Sequence, residues 1–532
     1  MTEHIDGLDD EGASVFDHRV GRKDFLFDSA KLLAAAAAAG PFFMAEEQAE
    51  AAIQASTSSD AAIADPIAKR AVDAAKQFSG ATLTKTNESG LQALDDKNFT
   101  GPLWERLTGV KLRVIEKPFA EIYSTVIAEH IARSGAIDSV DGSPVWVPDF
   151  AERQVLAPID SFIRKHRAQA TMNDYHPLFR PMMKYKGKQY GFFDDGDVWI
   201  LYYRKDVFNN AKLKNAYRAK YGRALRVPRG WDEFSLVAQF ITDQMAPRVY
   251  GTGLGRTVGN PGNQFYFYQQ FRSNGGEFFN PRTMKALINN AIGVRTMNQI
   301  LAQNKASPPG VEKLDVVSAW VQWLEGKTAM IFSWPPTGRM SENYAQRDKA
   351  FAFIPRSKIA GKVGYAVVPG QNGEHAGSFI KGVMATSKQQ ELAYLFNQWA
   401  TSPSVSLQRV QLPYTLRDPY RISHYRSKQF ARRWPAASQY LAKLAEGANF
   451  SVLDPIYTGS QDYANALDRG MSKIYAGGNV QQTLNDVAKE WDTITERLGV
   501  DKQRAGYQNF LNNYLGSTKN NTPARKGQAV KI

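Results

Sequence analysis

The stretch FFDDGDVWILYYRKD, Phe192 to Asp206, puts three carboxylates, Asp194, Asp195 and Asp197, within four positions. The apolar run Val198–Tyr203 follows at once. Six residues rich in β-branched and aromatic side chains are too few for most helices and read as a buried strand. Charge set directly against such a strand must either be satisfied by the protein or used on something else. Carboxylates can act as acid and base, bind a metal, accept hydrogen bonds from a polar guest, or satisfy the backbone donors of a turn.

The whole chain narrows these choices. At 532 residues it exceeds the roughly 250–300 that one core supports, so two or more lobes are expected. A hydrophobic share of 43%, with 12% aromatic, provides for sizeable cores and excludes global disorder. The net charge of +14 invites a nucleic-acid partner, but Lys and Arg are scattered, with no arginine-rich arm or finger spacing. No nucleic-acid partner is expected. The absence of cysteine removes disulfides, thiolate metal sites, cysteine nucleophiles and a lipid-bearing cysteine, and it suits an oxidising compartment.

Near the N-terminus, Gly21-Arg22-Lys23-Asp24-Phe25-Leu26-Phe27 resembles a twin-arginine export motif with Lys23 in place of the second arginine. The 14 uncharged residues between Lys31 and Glu46 fall short of the roughly 18 of a spanning helix but suit the apolar region of a signal peptide. Residues 1–45 are expected to be an export signal; an Ala-rich amphipathic helix is the alternative. Removing them takes eight acidic and four basic residues and leaves +18.

Residues 46–80 read as a spacer or leading helix. Strands are expected at Ala81–Thr86, Val110–Ile115 and Ala136–Val140. Helical stretches separate them, one through Trp104–Leu107 and one over Ile122–Arg133. This alternation indicates an α/β arrangement with a largely parallel sheet. After residue 197 it resumes with strands at Val198–Tyr203, Arg248–Gly251, Lys327–Phe332 and Gly364–Val368. Helices are expected at Trp231–Thr242, Asn289–Asn304, Val316–Leu324, Gln389–Ala400, Tyr463–Tyr475 and Val480–Leu498. Residues 516–532 read as a flexible basic tail. No later segment reaches a spanning length, so the mature protein is expected to be soluble.

The seven histidines (His4, His18, His130, His166, His176, His375 and His424) show no H-E-x-x-H pair. Asp194–Asp197 lacks the alternation and distal glutamate of a calcium loop. No metal and no cofactor are expected. There is no G-x-S-x-G elbow. The glycines of Gly251–Gly259 miss both the dinucleotide and the P-loop spacing and read as a flexible loop. Asp195 and Asp197 could be the acid and base of a secreted carbohydrate-active hydrolase. They could equally accept hydrogen bonds from sugar hydroxyls while aromatic faces cover the C–H side of a ring. Trp199 and Tyr202 point to opposite faces of their strand, so one or both belong to the core. Trp146 and Trp334, in proline-flanked loops, are the better aromatic candidates.

Tyr190-Gly191-Phe192-Phe193, Asp195-Gly196-Asp197 and Leu201–Phe208 together resemble the first crossover of bacterial extracellular solute-binding proteins, the carbohydrate-type receptors of ABC importers. Val227–Phe234 is similar to the family's P-TWDEF helix start and Asn274–Phe279 to its NGGEFFD turn. Glu325–Met330 is similar to its GKTAM strand, and Ser387–Phe396 to its S-NKELAYEF helix. The resemblance runs from about Gly80 to about Tyr514, with Arg204 in place of an asparagine and Pro335-Pro336 as departures.

The resemblance implies a two-lobed, type II periplasmic-binding-protein-like α/β fold with hinge crossovers. The N-lobe would comprise residues 81–196 and 369–408, the C-lobe 197–368 and 409–515. It further implies a monomeric periplasmic receptor, not an enzyme, that carries a carbohydrate or polyol to a membrane permease. By matching position Asp197 is the first ligand-contact candidate and Asp195 the second. Trp146 would face the cleft from the N-lobe, and Ser333 and Trp334 from the C-lobe. Glu88 and Arg417 are further candidates, each with a solvated charge as its alternative.

Overall fold

Among the described residues, nine strands form two larger sheets, and the chain passes from one to the other at Gly196. The computed structural model describes residues 59–257, 263–344, 354–370, 374–375 and 378–532. The export-signal segment 1–45 and the start of the 46–80 segment lie outside the described residues. In chain order the strands of these two sheets are β1 Thr82–Glu88, β2 Lys111–Lys117, β3 Ser139–Gly142, β4 Gly191–Asp195, β5 Ile200–Arg204, β6 Tyr250–Thr252, β7 Thr328–Ser333, β8 Val363–Val367 and β9 Phe379–Val383. The first sheet is ordered β2-β1-β3-β9-β4 and the second β8-β5-β7-β6.

Neither sheet is largely parallel. β1 runs parallel to β2 and β3, and β6 parallel to β7. β9 is antiparallel to β3 and β4, and β5 is antiparallel to β7 and β8. Both exceptions are strands that arrive from the other sheet. They enter without a same-sheet crossover helix, which is what parallel pairing requires.

Residues 59–80 are docked rather than a free spacer. Pro66–Ala75 is a helix whose N-cap Asp65 accepts from the backbone N–H groups of Ile67 and Ala68, with Pro66 in its first turn. Its buried face, Ile67, Ala68, Ala71, Val72 and Ala75, follows helical spacing and packs on the helix Gln390–Ala400. There the Trp399 indole N–H donates to the Ala62 carbonyl at 3.0 Å. The helices expected further along the chain form at Trp231–Met245, Ala291–Lys305, Val316–Leu324, Gln390–Ala400, Ser460–Tyr475 and Val480–Leu498. Asn290, Asp315 and Asn479 cap three of them. None of the described helices is long and apolar enough to cross a membrane.

Trp199 and Tyr202 both belong to the core, on opposite sides of the chain. Trp199 packs on Tyr266, Phe332 and Trp334, and Tyr202 on Tyr365. The described part of the glycine-rich stretch is packed, not flexible. A Cβ on Gly251 would stand 1.9 Å from the Ala238 carbonyl oxygen, and one on Gly253 2.6 Å from the Thr328 side chain. These glycines let backbone approach helix and sheet closely. Residues 516–532 also differ from the flexible tail expected. Asn449 Nδ2 donates to the Val530 carbonyl at 2.9 Å, the Val530 N–H returns to Asn449 Oδ1 at 2.7 Å, and Arg426 donates to the Lys531 carbonyl. Buried backbone groups need partners, and Asn449 supplies both a donor and an acceptor.

The chain passes between the sheets three times. The first passage is residues 196–199, between β4 and β5; the second joins β8 to β9 and ends at Ser378. The third leads from the helix Pro403–Arg409, packed on the leading helix, to the helix Ala437–Phe450, packed on β5 and β8. First and third touch directly, since the Gly196 N–H donates to the Asp418 carbonyl at 3.3 Å. A Cβ on Gly196 would lie 2.0 Å from the Pro419 carbonyl oxygen. Gly196→Ala is therefore expected to lower stability by roughly 1–3 kcal/mol in urea denaturation. Gly506→Ala, whose nearest neighbour would be Tyr457 at 3.4 Å within a helix, should be neutral or stabilising by up to about 1 kcal/mol. Equal behaviour of the two variants would contradict the close approach.

Candidate functional site

Successive residues of a strand face opposite sides, so Asp194 and Asp195 at the end of β4 serve two different neighbourhoods. Asp194 enters a buried ion network under the first sheet. Lys381 on β9 and Lys85 on β1 both reach Asp141 at 2.9 Å, and Lys381 lies 3.2 Å from Asp194. Arg409 binds Asp194 and donates through Nε to Asp95 at 2.8 Å. Arg417 Nη2 donates to Asp141 at 2.7 Å, and its Nη1 stands 3.0 Å from Asp194. Asp96 completes the set by accepting from Lys85 and Asn87. Four cations thus balance four carboxylates with almost no solvent contact. Burial would raise the Asp194 pKa, but Arg409, Arg417 and Lys381 hold it below the ordinary carboxylate range.

Asp195 faces the passages. Its Oδ2 accepts from Gln92 Nε2 at 2.9 Å and its Oδ1 from the Asp418 backbone N–H at 2.8 Å. Asp197 and Ser378 bond reciprocally: Ser378 N–H donates to Asp197 Oδ2 at 2.7 Å, and the Asp197 N–H donates to Ser378 Oγ at 3.2 Å. Ser378 adopts φ 54°, a left-handed conformation that non-glycine residues seldom take. Asp418, fully buried on the third passage, has Arg339 at 3.1 Å. Each passage therefore contributes to one hydrogen-bonded knot. Burial, opposed by Arg417 and by the bonds from Gln92 and Asp418, raises the Asp195 pKa to about 6. Glu88, half-buried at the end of β1, is pushed up to about 7 by burial, with Arg417 opposing and Asp195 adding.

The structure brings Glu88, Asp195, Asp197 and Arg417 to this junction, and it places the two tryptophans and Ser333 beside it in separate packing groups. Trp146 ends the turn Pro144–Trp146 among Phe119, Tyr123 and Phe150, and its indole N–H donates to Gln461 Oε1 at 2.7 Å across the lobes. A second contact between the lobes lies nearby, where the Gly459 N–H donates to Asp149. Trp334 stands edge-on to Trp199 at 4.8 Å, and its carbonyl accepts from the Tyr202 hydroxyl at 3.2 Å. Ser333 Oγ accepts from the Trp320 indole N–H at 2.9 Å. Arg417 is not the solvated charge that was its alternative, because its guanidinium is committed to Asp141 and Asp194. Sequence reasoning missed Asp418, Arg339, Ser378 and Gln92. Asp418 follows Arg417 directly in the sequence, but nothing in the sequence links Ser378 or Gln92 to the aspartates.

The carboxylates of Asp195, Asp197 and Asp418 approach within 4.8 Å of one another, a spacing that alone would admit a cation. Their surroundings do not. N–H groups of Gln92, Asp418 and Ser378 already point at the oxygens, and Arg339 stands where a cation would be repelled. Nor are Asp195 and Asp197 spaced as a glycosidase pair. Glycosidase carboxyls stand roughly 5–9.5 Å apart with a sugar between them, whereas Asp195 is closer to its neighbours and sealed from solvent. A crevice of about 770 Å³ between the helices Trp231–Met245 and Ala291–Lys305 contains none of the candidate residues.

The family model described as bacterial extracellular solute-binding protein matches residues 81–406. A binding protein of Brucella abortus (strain 2308) is 22% identical over 423 residues, covering 75% of this chain and 91% of that protein. A relative from Sinorhizobium fredii, named for an amino-acid ABC transporter's periplasmic-binding protein, is 23% identical over 310 residues, 57% of this chain and 64% of its own. Two solved structures share the fold. One is an ABC transporter solute-binding protein from Agrobacterium vitis S4 with bound D-mannitol: TM-score 0.64, 20% identity, 79% of this chain and 99% of that one. The other is maltose-bound MalE3 of T. maritima: TM-score 0.63, 18% identity, 78% and 100%.

Removing one partner of a buried ion network leaves charge uncompensated and typically costs about 3–5 kcal/mol. Arg417→Met should reduce unfolding free energy by about that amount in denaturant titration. A loss below about 1 kcal/mol would show that the charge is exposed and screened.

Proposed function

We propose that this chain, which belongs to the bacterial extracellular solute-binding proteins, holds a carbohydrate or polyol between its two lobes and passes it unaltered to the permease of an ABC importer. The observation that carries this reading is the junction itself. Two sheet-centred lobes are joined by three passages meeting at Asp195, Asp197 and Asp418, an arrangement suited to closing on a guest at a domain boundary. Glu88 is the hydroxyl acceptor in this reading, and Trp146 and Trp334 the apolar walls. Asp195, Asp197, Ser333 and Arg417, already engaged with protein groups, hold these in position.

Charge supports a neutral hydroxyl-rich ligand over an amino acid or a sugar acid. The net +14 of the chain is not available at the junction, since Arg417 is spent on Asp141 and Asp194 and Arg339 on Asp418. What remains near the candidate contacts is carboxylate, which repels a free acid group. The relative named for amino acids matches a smaller share of this chain than the Brucella protein does. The fold neighbours carrying mannitol and maltose favour the carbohydrate-or-polyol reading. The same proposal makes the protein a monomeric periplasmic receptor without enzymatic activity, exported through residues 1–45 by the twin-arginine route.

A melting-temperature screen with D-mannitol, ribitol, maltose, sugar acids and amino acids tests the ligand class, because a solute that binds only the folded state raises the apparent melting point. At least one sugar or polyol should raise it, be recovered chemically unchanged, and lose about tenfold or more in affinity with Glu88→Gln, the cost of one charge-assisted hydrogen bond. Shifts with amino acids alone, or turnover of a glycoside, would overturn the proposal.

A further inference from the structure

We infer that a proton shared among Asp197, Asp418 and Asp195 latches the three interlobe passages together, so that the joint is firm in acid and loosens as the proton is lost. The geometry that carries it is the knot of three carboxylates, one from the end of β4 and one from each of two passages, all within 4.8 Å and all buried. Asp418 Oδ2 accepts no hydrogen bond, although Asp418 has no solvent contact. The Asp197 and Asp418 carboxylates approach within 4.8 Å of one another. Two ionised carboxylates cannot bond to one another; a protonated one donates to its neighbour. Gln92 adds a buried Oε1 without a donor on the same amide that holds Asp195.

The cations around the knot are Arg339, paired with Asp418, and Arg417, whose guanidinium pairs with Asp141 and Asp194. Glu88 and Asp194 are the adjoining acids, and the phenols Tyr202, Tyr425 and Tyr440 stand close enough to Asp418 to feel its charge. With the carboxylates fully ionised, like charges would stand together in a dry site where little screens them. One proton taken from solvent as the passages assemble, and returned when they part, turns that repulsion into an O–H···O bond from Asp197 to Asp418.

The titration agrees. Burial, then the charges of Asp195 and Asp418, put the Asp197 pKa well above the ordinary value, while burial outweighs Arg339 at Asp418. A group whose folded pKa is raised contributes stability below its ordinary pKa, near 4, and loses it as pH climbs through the folded value. The latch therefore weakens on the alkaline side.

Ligand-free protein tests this, so the outcome is independent of which solute the cleft takes. Asp197→Asn places an amide where the acid proton would sit, with Oδ1 still able to accept from Ser378. Between about pH 5.5 and about pH 8.5 the melting temperature of the unaltered protein should fall roughly 2–4 °C more than that of Asp197→Asn. A protonated-carboxyl C=O infrared band present near pH 8 should vanish in the variant. Should Asp197→Asn not fold, Asp418→Asn, which removes the other member of the pair, makes the same comparison. Identical pH slopes, or no such band, would overturn the latch. So would stabilisation of the unaltered protein alone by Mg²⁺ or Ca²⁺ near pH 8, which would assign the carboxylates to a cation.

Discussion

The architecture depends on three strands of chain crossing at one point where neither a Cβ nor an unpartnered charge fits easily. Gly196 clears the Pro419 carbonyl only because it has no side chain. Asp195 grips the Asp418 N–H, and Asp197 and Ser378 grip each other. These contacts involve backbone as well as side chains, so they fix where each passage lies.

Beneath that joint the first lobe is stiffened by charge. Asp194, one residue from Asp195, is locked to Arg409, Arg417 and Lys381, and Asp141 ties β3 to β1 and β9 through Lys85 and Lys381. Such networks stabilise little against an apolar core of equal volume, but they tolerate few rearrangements. Arg417 and Asp418 are consecutive, so the third passage is anchored on one side to this network and on the other to the knot. The acidic run of the opening stretch is thereby divided: one carboxylate for the foundation, two for the joint.

Much of this was legible in the residues. The apolar run Val198–Tyr203 forms its strand, the helices fall within a few residues of their hydrophobic periodicity, and ordered family motifs pointed to two lobes. What could not be read were contacts between segments far apart in sequence. Ser378 meets Asp197 across 181 positions, and Gln92 meets Asp195 across 103. Strand direction failed for a related reason: β5 and β9 arrive from the opposite sheet, and local alternation carries no record of where a strand came from. The glycines of Gly251–Gly255 were misread because composition does not distinguish a loop from a close backbone approach. Charge patterning likewise could not tell Arg417 in a buried network from a solvated arginine. Among the site candidates, Asp195, Asp197, Glu88 and Arg417 do converge. Ser333 and Trp334 pack within the second lobe, and Trp146 bridges to it through Gln461.

The most direct test is small-angle X-ray scattering of the protein alone and with the sugar or polyol that most raises its melting temperature. Rotation at the Gly196 junction predicts a smaller radius of gyration and a narrower distance distribution in the saturated sample. Superimposable curves, with calorimetry proving the solute bound, would contradict a joint that closes two lobes on a guest.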